Sequence, residues 1–203
     1  MKIALIGTTG NVGQRLLAEL LRHGHQVTGI ARDTSRIASQ PGLQLKNVDA
    51  NRPEQLAPLL SGHDAVLSAA SFATTDAASL IAAVKQSGVS RLLVVGGAAT
   101  LEVSPGIAVI DTLDFPDAWR PEAEGGRKFL NLLRAEPELD WTFLSPSAEF
   151  VPGERTGSFR LGKDSLLADA NGRSWISMED YAIAFVDELE HPQHSRQRFT
   201  VGY

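Results

Sequence analysis

The chain has no cysteine among its 203 residues, which excludes disulfides, thiolate metal sites and a cysteine nucleophile. It also has no block of like charge. Its 19 Lys and Arg stand against 24 Asp and Glu, a formal net charge of −5 spread along the chain, so a nucleic acid is not an expected ligand. No apolar run is long enough to span a bilayer, and the apolar start MKIALIG passes straight into a glycine turn instead of a signal-peptide cleavage site. The expectation is a soluble, cytoplasmic protein with no membrane partner. Five histidines occur without HExxH or comparable spacing: His23 and His25 flank a turn, His63 precedes a strand, and His191 and His194 sit in a polar tail. Surface roles and no metal are expected of them. No serine occupies a GxSxG nucleophile elbow, which disfavours a serine hydrolase. Repeats and low-complexity linkers are missing too. The length suits one domain, residues 1–203, with a substantial core and no room for a second full domain.

What is present begins with KIALIGTTGNVGQRLLAELL. Ile3, Ala4, Leu5 and Ile6 form an apolar run suited to a strand covered on both faces, and Val12, Leu16, Leu17, Leu20 and Leu21 recur at helical spacing. The glycine turn therefore joins a strand's carboxyl end to a helix N-terminus. There Gly7 permits the tight turn, Gly10 lets backbone approach a pyrophosphate, and Gly13 lets the helix pack closely on the strand. The unpaired N–H groups of the helix would then face an anion, and Thr9, Asn11 and Val12 are expected beside the three glycines at the cofactor. The spacing GxxGxxG departs from the commoner GxGxxG and resembles the short-chain dehydrogenase/reductase superfamily, particularly its extended and atypical members.

The same alternation recurs along the chain. QVTGIAR, LQLKNVD, DAVLSAA, RLLVVGG and DWTFLSP read as strands. RPEQLAPLLSG, DAASLIAAVKQSG and RPEAEGGRKFLNLLRAE read as helices, with Pro58 limiting the first and Gly125–Gly126 weakening the start of the last. Alternating strands and helices predict an α/β fold, a Rossmann-type doubly wound parallel sheet. From residue 146 onward the pattern changes to a small C-terminal elaboration on the substrate side. SFRLG and SLLADANG suggest a hairpin, MEDYAIAFVDELE a helix with acids in its first turn, and RFTVGY a final strand.

The nucleotide type is read at the end of the second strand, where an acid suits ribose hydroxyls and an arginine suits a 2′-phosphate. The sequence there is GIARDTSR, with Arg32 first, Asp33 next and Arg36 beyond. Arg32 favours NADP through a two-donor grip on phosphate, while Asp33 keeps NAD as the alternative. Asp49 could accept from the adenine amino group, with Ala50 beside the ring, or could serve the start of the following helix. Ser68, Ala69 and Ala70 supply small residues where backbone approaches a cofactor, and Gly96 and Gly97 mark another strand end with something close to the backbone.

The stretches ALIGTTGNVGQ, HDAVLSAA, RLLVVGGAATLEV, FLSPSAEFVPGERTG and ISMEDYAIAFVDELEHPQHSRQRFTVGY together resemble the NAD(P)H-binding, NmrA-like branch of atypical short-chain dehydrogenases. They are most similar to small bacterial proteins described as NADH-flavin reductases. The resemblance covers essentially the whole chain and implies a reduced nicotinamide ligand. The superfamily's usual carbonyl chemistry needs Tyr-x-x-x-Lys, but only Tyr181 and Tyr203 occur, and the matching helix carries Glu124 and Lys128, expected as a surface ion pair. The nearest hydroxyl after the fifth strand is Thr100. No catalytic residue is assigned. A reductase without a positioned acid suits a flavin or quinone-like small-molecule acceptor, which takes hydride into a conjugated ring. Walls for it are expected from LEVSPGIAVIDTLDFPDAW and SPSAEFVPGERTG, with Phe115, Trp119 and Phe150 as stacking surfaces or local packing anchors. The resemblance to NmrA-like regulators implies an alternative, a nucleotide sensor without turnover that acts on a protein partner. A sugar-nucleotide epimerase would need a larger substrate domain and the missing tyrosine.

Overall fold

A computed structural model describes residues 1–203. In chain order its elements are β1 (Lys2–Ile6), α1 (Asn11–Arg22), β2 (Gln26–Ala31), β3 (Leu43–Asn47), α2 (Pro53–Leu60), β4 (Ala65–Ser68), α3 (Ala77–Ser87), β5 (Arg91–Val95), β6 (Glu102–Ser104), β7 (Ile107–Ala108), α4 (Arg120–Arg134), β8 (Asp140–Pro146), β9 (Glu149–Val151), β10 (Arg160–Gly162), β11 (Trp175–Ser177), α5 (Met178–Glu190) and β12 (Gln197–Gly202). Eight strands form one sheet in the order β10-β12-β8-β5-β4-β1-β2-β3. All neighbours in it are parallel except β10 with β12. The order reverses between β1 and β4, the switch point at which a doubly wound sheet opens a crevice beyond its strand ends.

Alternation along the buried strands divides the core. Ile3 and Leu5 of β1 pack with Leu16, Leu20, Tyr181 and Phe185 beneath α1 and α5. Ala4 and Ile6 point the other way, into the layer built with Leu56, Leu80 and Phe129 of α2, α3 and α4. Burying both faces removes the polar positions that a one-sided strand would show. Residues 146–203 supply α5, β10 and β12 to this sandwich as well as loops on the substrate side. None of the helices is long and apolar enough to cross a membrane.

Three local expectations change. SFRLG and SLLADANG do not pair with each other: Arg160–Gly162 pairs with β12, and Ser165 makes an isolated bridge to Glu102. Alternation marks a strand but not its partner, and the Arg160 guanidinium, bonded to the Ala168 and Tyr203 carbonyls at 2.6 and 2.5 Å, ties the segment to the β12 side. Gly125–Gly126 lie inside an uninterrupted α4, for a reason given below. The histidines are not all surface groups: His25 is buried, His63 reaches the Thr28 hydroxyl at 2.8 Å, and the His194 ring stacks on Phe199 at 3.9 Å.

Candidate functional site

The turn between β1 and α1 is held by backbone, the Gly10 N–H donating to the Gly7 carbonyl at 3.1 Å, and by the Gln14 side-chain amide, which donates to the Thr9 carbonyl at 3.0 Å. Gly7 has φ +84°, and a Cβ there would lie 2.6 Å from the Ala69 carbonyl carbon. A Cβ on Gly13 would lie 2.1 Å from the Gly7 oxygen, so this glycine lets α1 press against the turn. Gly10 is different: its nearest neighbour would be the Gly7 oxygen at 3.4 Å, which leaves free space where a ligand would approach. The other helix N-termini are compensated: α2 and α4 have no side-chain cap but carry an acid in the first turn, Glu54 and Glu122, and the other two are capped. The Asp76 carboxylate accepts from the Ser79 N–H at 2.8 Å on α3, and the Ser177 hydroxyl accepts from the Asp180 N–H at 3.0 Å on α5. The α1 N-terminus has no side-chain cap and no acid in its first turn. Its positive end is therefore directed, uncompensated, at whatever lies before Gly10, which fits the phosphates of a dinucleotide.

That end opens into a cavity of about 1510 Å³ across the carboxyl ends of the sheet. This exceeds the ~300–1,000 Å³ usual for one small ligand, leaving room for two. Gly7, Thr9, Gly10, Asn11 and Val12 line one end; Arg32, Asp49 and Ala50 line a flank; Ala69, Ala70 and Gly96 lie along the floor. Two expected residues do not reach it. Gly13 sits behind the turn, and Ser68 is buried within β4 between Ile6 and Val94 of the neighbouring strands. The small residue at Gly96 also has another cause: a Cβ there would lie 2.4 Å from the Phe143 ring, whereas Gly97 has nothing within 4 Å.

Arg32 lines the cavity, but Asp33 and Arg36 do not. Asp33 turns its carboxylate to the Ser35 N–H at 2.9 Å, and that bond holds its carboxyl below the ordinary range. Asp49 closes a similar turn, accepting from the Asn51 N–H at 2.9 Å, while still facing the cavity.

The loop after β4 forms the adjoining wall, and α4 fixes it. The Glu122 carboxylate accepts from the Ser71 hydroxyl at 2.7 Å and from the Phe72 and Ala73 N–H groups at 2.8 and 2.9 Å. A Cβ on Gly125 would lie 2.5 Å from the Phe72 oxygen, and one on Gly126 would lie 3.1 Å from the Phe72 ring. The two glycines, unfavourable to a helix by themselves, form the seat on which this loop rests. The sequence reading missed Ser71, Phe72 and Glu122, although a glycine pair inside a helical pattern signals a close backbone approach.

At the other end stand the expected aromatics Phe115, Trp119 and Phe150. Phe150 packs on Tyr181 at 4.6 Å, and the Arg120 guanidinium lies 5.6 Å over Phe115, so both also anchor their own loops. Trp119 is 66% exposed. The tyrosines lie outside the cavity. Tyr181 is fully buried, donates to the Leu144 carbonyl at 2.7 Å, and has its phenol pushed well above the usual value by burial. Tyr203 lies 2.9 Å from the Ser177 hydroxyl and donates to Asp180 at 2.7 Å. Thr100 lines the cavity, but its carbonyl and hydroxyl lie 3.2 and 3.4 Å from the Arg198 guanidinium. Glu124 and Lys128 do not pair: Glu124 is 3.9 Å from Arg127, and Lys128 is 3.7 Å from Asp76.

A doubly wound parallel sheet, whose first strand ends in an uncapped glycine turn opening on a large cavity, defines a Rossmann-type dinucleotide-binding protein. The model of a family described as NAD(P)H-binding matches residues 7–192, and the chain belongs to that family. The Bacillus subtilis protein YwnB is 41% identical over 212 residues, covering 99% of this chain and 98% of YwnB. A crystal structure from Bacteroides thetaiotaomicron, provisionally named an epimerase, has a TM-score of 0.95 at 42% identity, covering 100% of this chain and 96% of that one. Another from Streptococcus pneumoniae, provisionally named an NADH-flavin reductase, has a TM-score of 0.87 at 33% identity, covering 100% and 99% of the two chains.

Proposed function

We propose that the protein is an NADPH-dependent reductase whose acceptor is a flavin or quinone-like ring bound transiently beside the nicotinamide. The observation that carries this is one continuous cavity, running from the uncapped glycine turn and Arg32 to the aromatic walls at Phe115, Trp119 and Phe150. The N–H groups of the α1 first turn hold the pyrophosphate, and Gly10 leaves space for it to approach. Arg32 receives the 2′-phosphate, with Asp33 occupied by Ser35. Reduced nicotinamide supplies the hydride.

The remaining walls orient the second ring and exclude water. Both phenols are engaged away from the cavity, so no tyrosine gives a proton to a carbonyl oxygen there. A conjugated acceptor takes its remaining proton from solvent, which is why it fits this site better than an isolated ketone does. The same engagement of the tyrosines weighs against epimerase chemistry, the activity in the provisional name of the Bacteroides relative.

An anaerobic titration with NADPH in the presence of FMN tests the proposal, following nicotinamide fluorescence and flavin bleaching against a protein-free control. Protein-dependent bleaching is expected. Saturable nicotinamide binding with no bleaching of FMN or of a quinone would overturn turnover and favour a nucleotide sensor acting on a protein partner.

A further inference from the structure

At the end of α1 remote from the glycine turn, three groups converge that the cavity does not use. His23 caps the C-terminus of α1, His25 precedes β2, and Glu190 ends α5. One ligand atom from each lies within 4.8 Å of the other two. His23 Nδ1 is 3.0 Å from Glu190 Oε2, and His25 Nε2 is 2.9 Å from Glu190 Oε1. Tetrahedral sites with bonds of about 2.0–2.1 Å place their donor atoms roughly 3.3 Å apart, so small rotations bring the three onto one ion.

Two further observations separate this group from an ordinary cluster of surface charges. His25 is only 6% exposed, and no well-aligned hydrogen bond occupies its Nε2, which lies 2.9 Å from Glu190 Oε1. The other nitrogen of His23 is also provided for: Nε2 lies 3.2 Å from Glu19 Oε1. Glu19 is itself buried and gripped by Arg155 Nη2 and Nε at 2.6 and 3.0 Å. A carboxylate on the far nitrogen of an imidazole fixes the ring and its tautomer, leaving the near nitrogen's lone pair to a metal.

We propose that His23 Nδ1, His25 Nε2 and the Glu190 carboxylate form a binding site for a divalent zinc-type cation, with water completing its coordination. Glu19 acts on it as a positioning residue. Two imidazoles and a carboxylate are a borderline-soft donor set that suits zinc better than calcium or magnesium. On His25, Nδ1 lies 3.2 Å from the Met1 amino nitrogen. Ligation through Nε2 leaves the His25 proton on Nδ1. The site is structural: it ties the α1–β2 turn to the end of α5. Since α1 has 12 residues, it lies about 18 Å along the helix from the glycine turn.

The test is calorimetric titration of chelator-treated protein with Zn²⁺, paired with Co²⁺ titration to read the visible absorption of a tetrahedral centre. One ion per chain is expected, with the intense Co²⁺ bands of a tetrahedral centre. His23→Ala and Glu190→Gln should each weaken binding at least 100-fold, Glu19→Gln about tenfold, and His191→Ala should change nothing. Each variant is checked by circular dichroism and by its NADPH titration, which should match wild type and thereby keeps this test independent of the proposed reductase activity. Absence of stoichiometric binding to the wild type, or binding that survives both His23→Ala and Glu190→Gln, would overturn the proposal.

Discussion

Gly10 and Gly13 are three residues apart in the same turn, but substitution should affect them in opposite ways. At Gly13 a Cβ would sit 2.1 Å from the Gly7 oxygen, far inside the ~3.5 Å of ordinary contact. Both partners are backbone, so no side chain can rotate away. Taking the upper part of the usual overpacking cost, about 3 kcal/mol, and subtracting about 1 kcal/mol for alanine's better helix propensity leaves Gly13→Ala destabilised by about 2 kcal/mol. For a chain of this length that lowers Tm by roughly 4–8 °C. At Gly10 a Cβ meets only the Gly7 oxygen at 3.4 Å, and φ −71° suits any residue. Gly10→Val should therefore cost only the lost N-cap preference, about 0.5–1 kcal/mol, or roughly 1–4 °C. Its branched side chain instead fills the space before the α1 N-terminus. Affinity for NADPH and NADH should fall at least 100-fold, equivalent to about 2.7 kcal/mol. Thermal melts and nicotinamide fluorescence titrations read the two effects separately. A folded Gly10→Val protein that binds NADPH as tightly as wild type would falsify the phosphate-cradle assignment.

Arg32→Ala should weaken NADPH at least tenfold and leave NADH nearly unchanged; equal losses for both nucleotides, measured by the same titration, would remove Arg32 from cofactor selection. Glu122→Ala removes three hydrogen bonds to the loop after β4. It should cost about 1–3 kcal/mol and accelerate hydrogen exchange at the Phe72 and Ala73 amides, and unchanged exchange there would show that the glycine seat alone holds the loop. Burial by itself would raise the Asp180 carboxyl, but hydrogen bonds from the Thr156 hydroxyl, the Gly157 N–H and the Tyr203 phenol outweigh it and hold the group below its ordinary value. A lowered folded-state value means that this stabilisation is fully present above about pH 4 and is lost as pH falls through the folded value. Asp180→Asn should therefore flatten the decline of Tm on acidification below about pH 4, and an acid limb as steep as wild type's would contradict the assignment.

The sheet was legible because its strands are buried on both faces. Runs such as Ile3–Ile6 and Leu92–Val95 carry their own signal, and the 3.6-residue period of α1 carries another. The glycine turn was legible for a related reason: Gly7 and Gly13 are demanded by backbone contacts within one strand-turn-helix unit, so the local sequence is nearly sufficient. Arg32, Asp49 and Ala70 line the cavity because parallel strands all end at the same edge of the sheet, which makes position along a strand a guide to position in the cavity.

Other features depend on distances the sequence does not encode. The glycine pair in α4 read as a weakness because its partner, Phe72, is some fifty positions away in the chain and touches α4 only once α3 and α4 are packed. Arg160–Gly162 had a strand's composition, but β12 became its partner through the closing of the sheet, not through a turn. His23 and His25 looked unremarkable beside a turn until α5 brought Glu190 between them. By itself the sequence determined the periodicity, the glycine turn and the order of strands and helices, all of which depend on neighbours a few residues apart. The tertiary structure alone decided the partner of β10, the seat for the cavity wall and the meeting of His23, His25 and Glu190, because each joins segments whose separation is closed only by packing of the whole core.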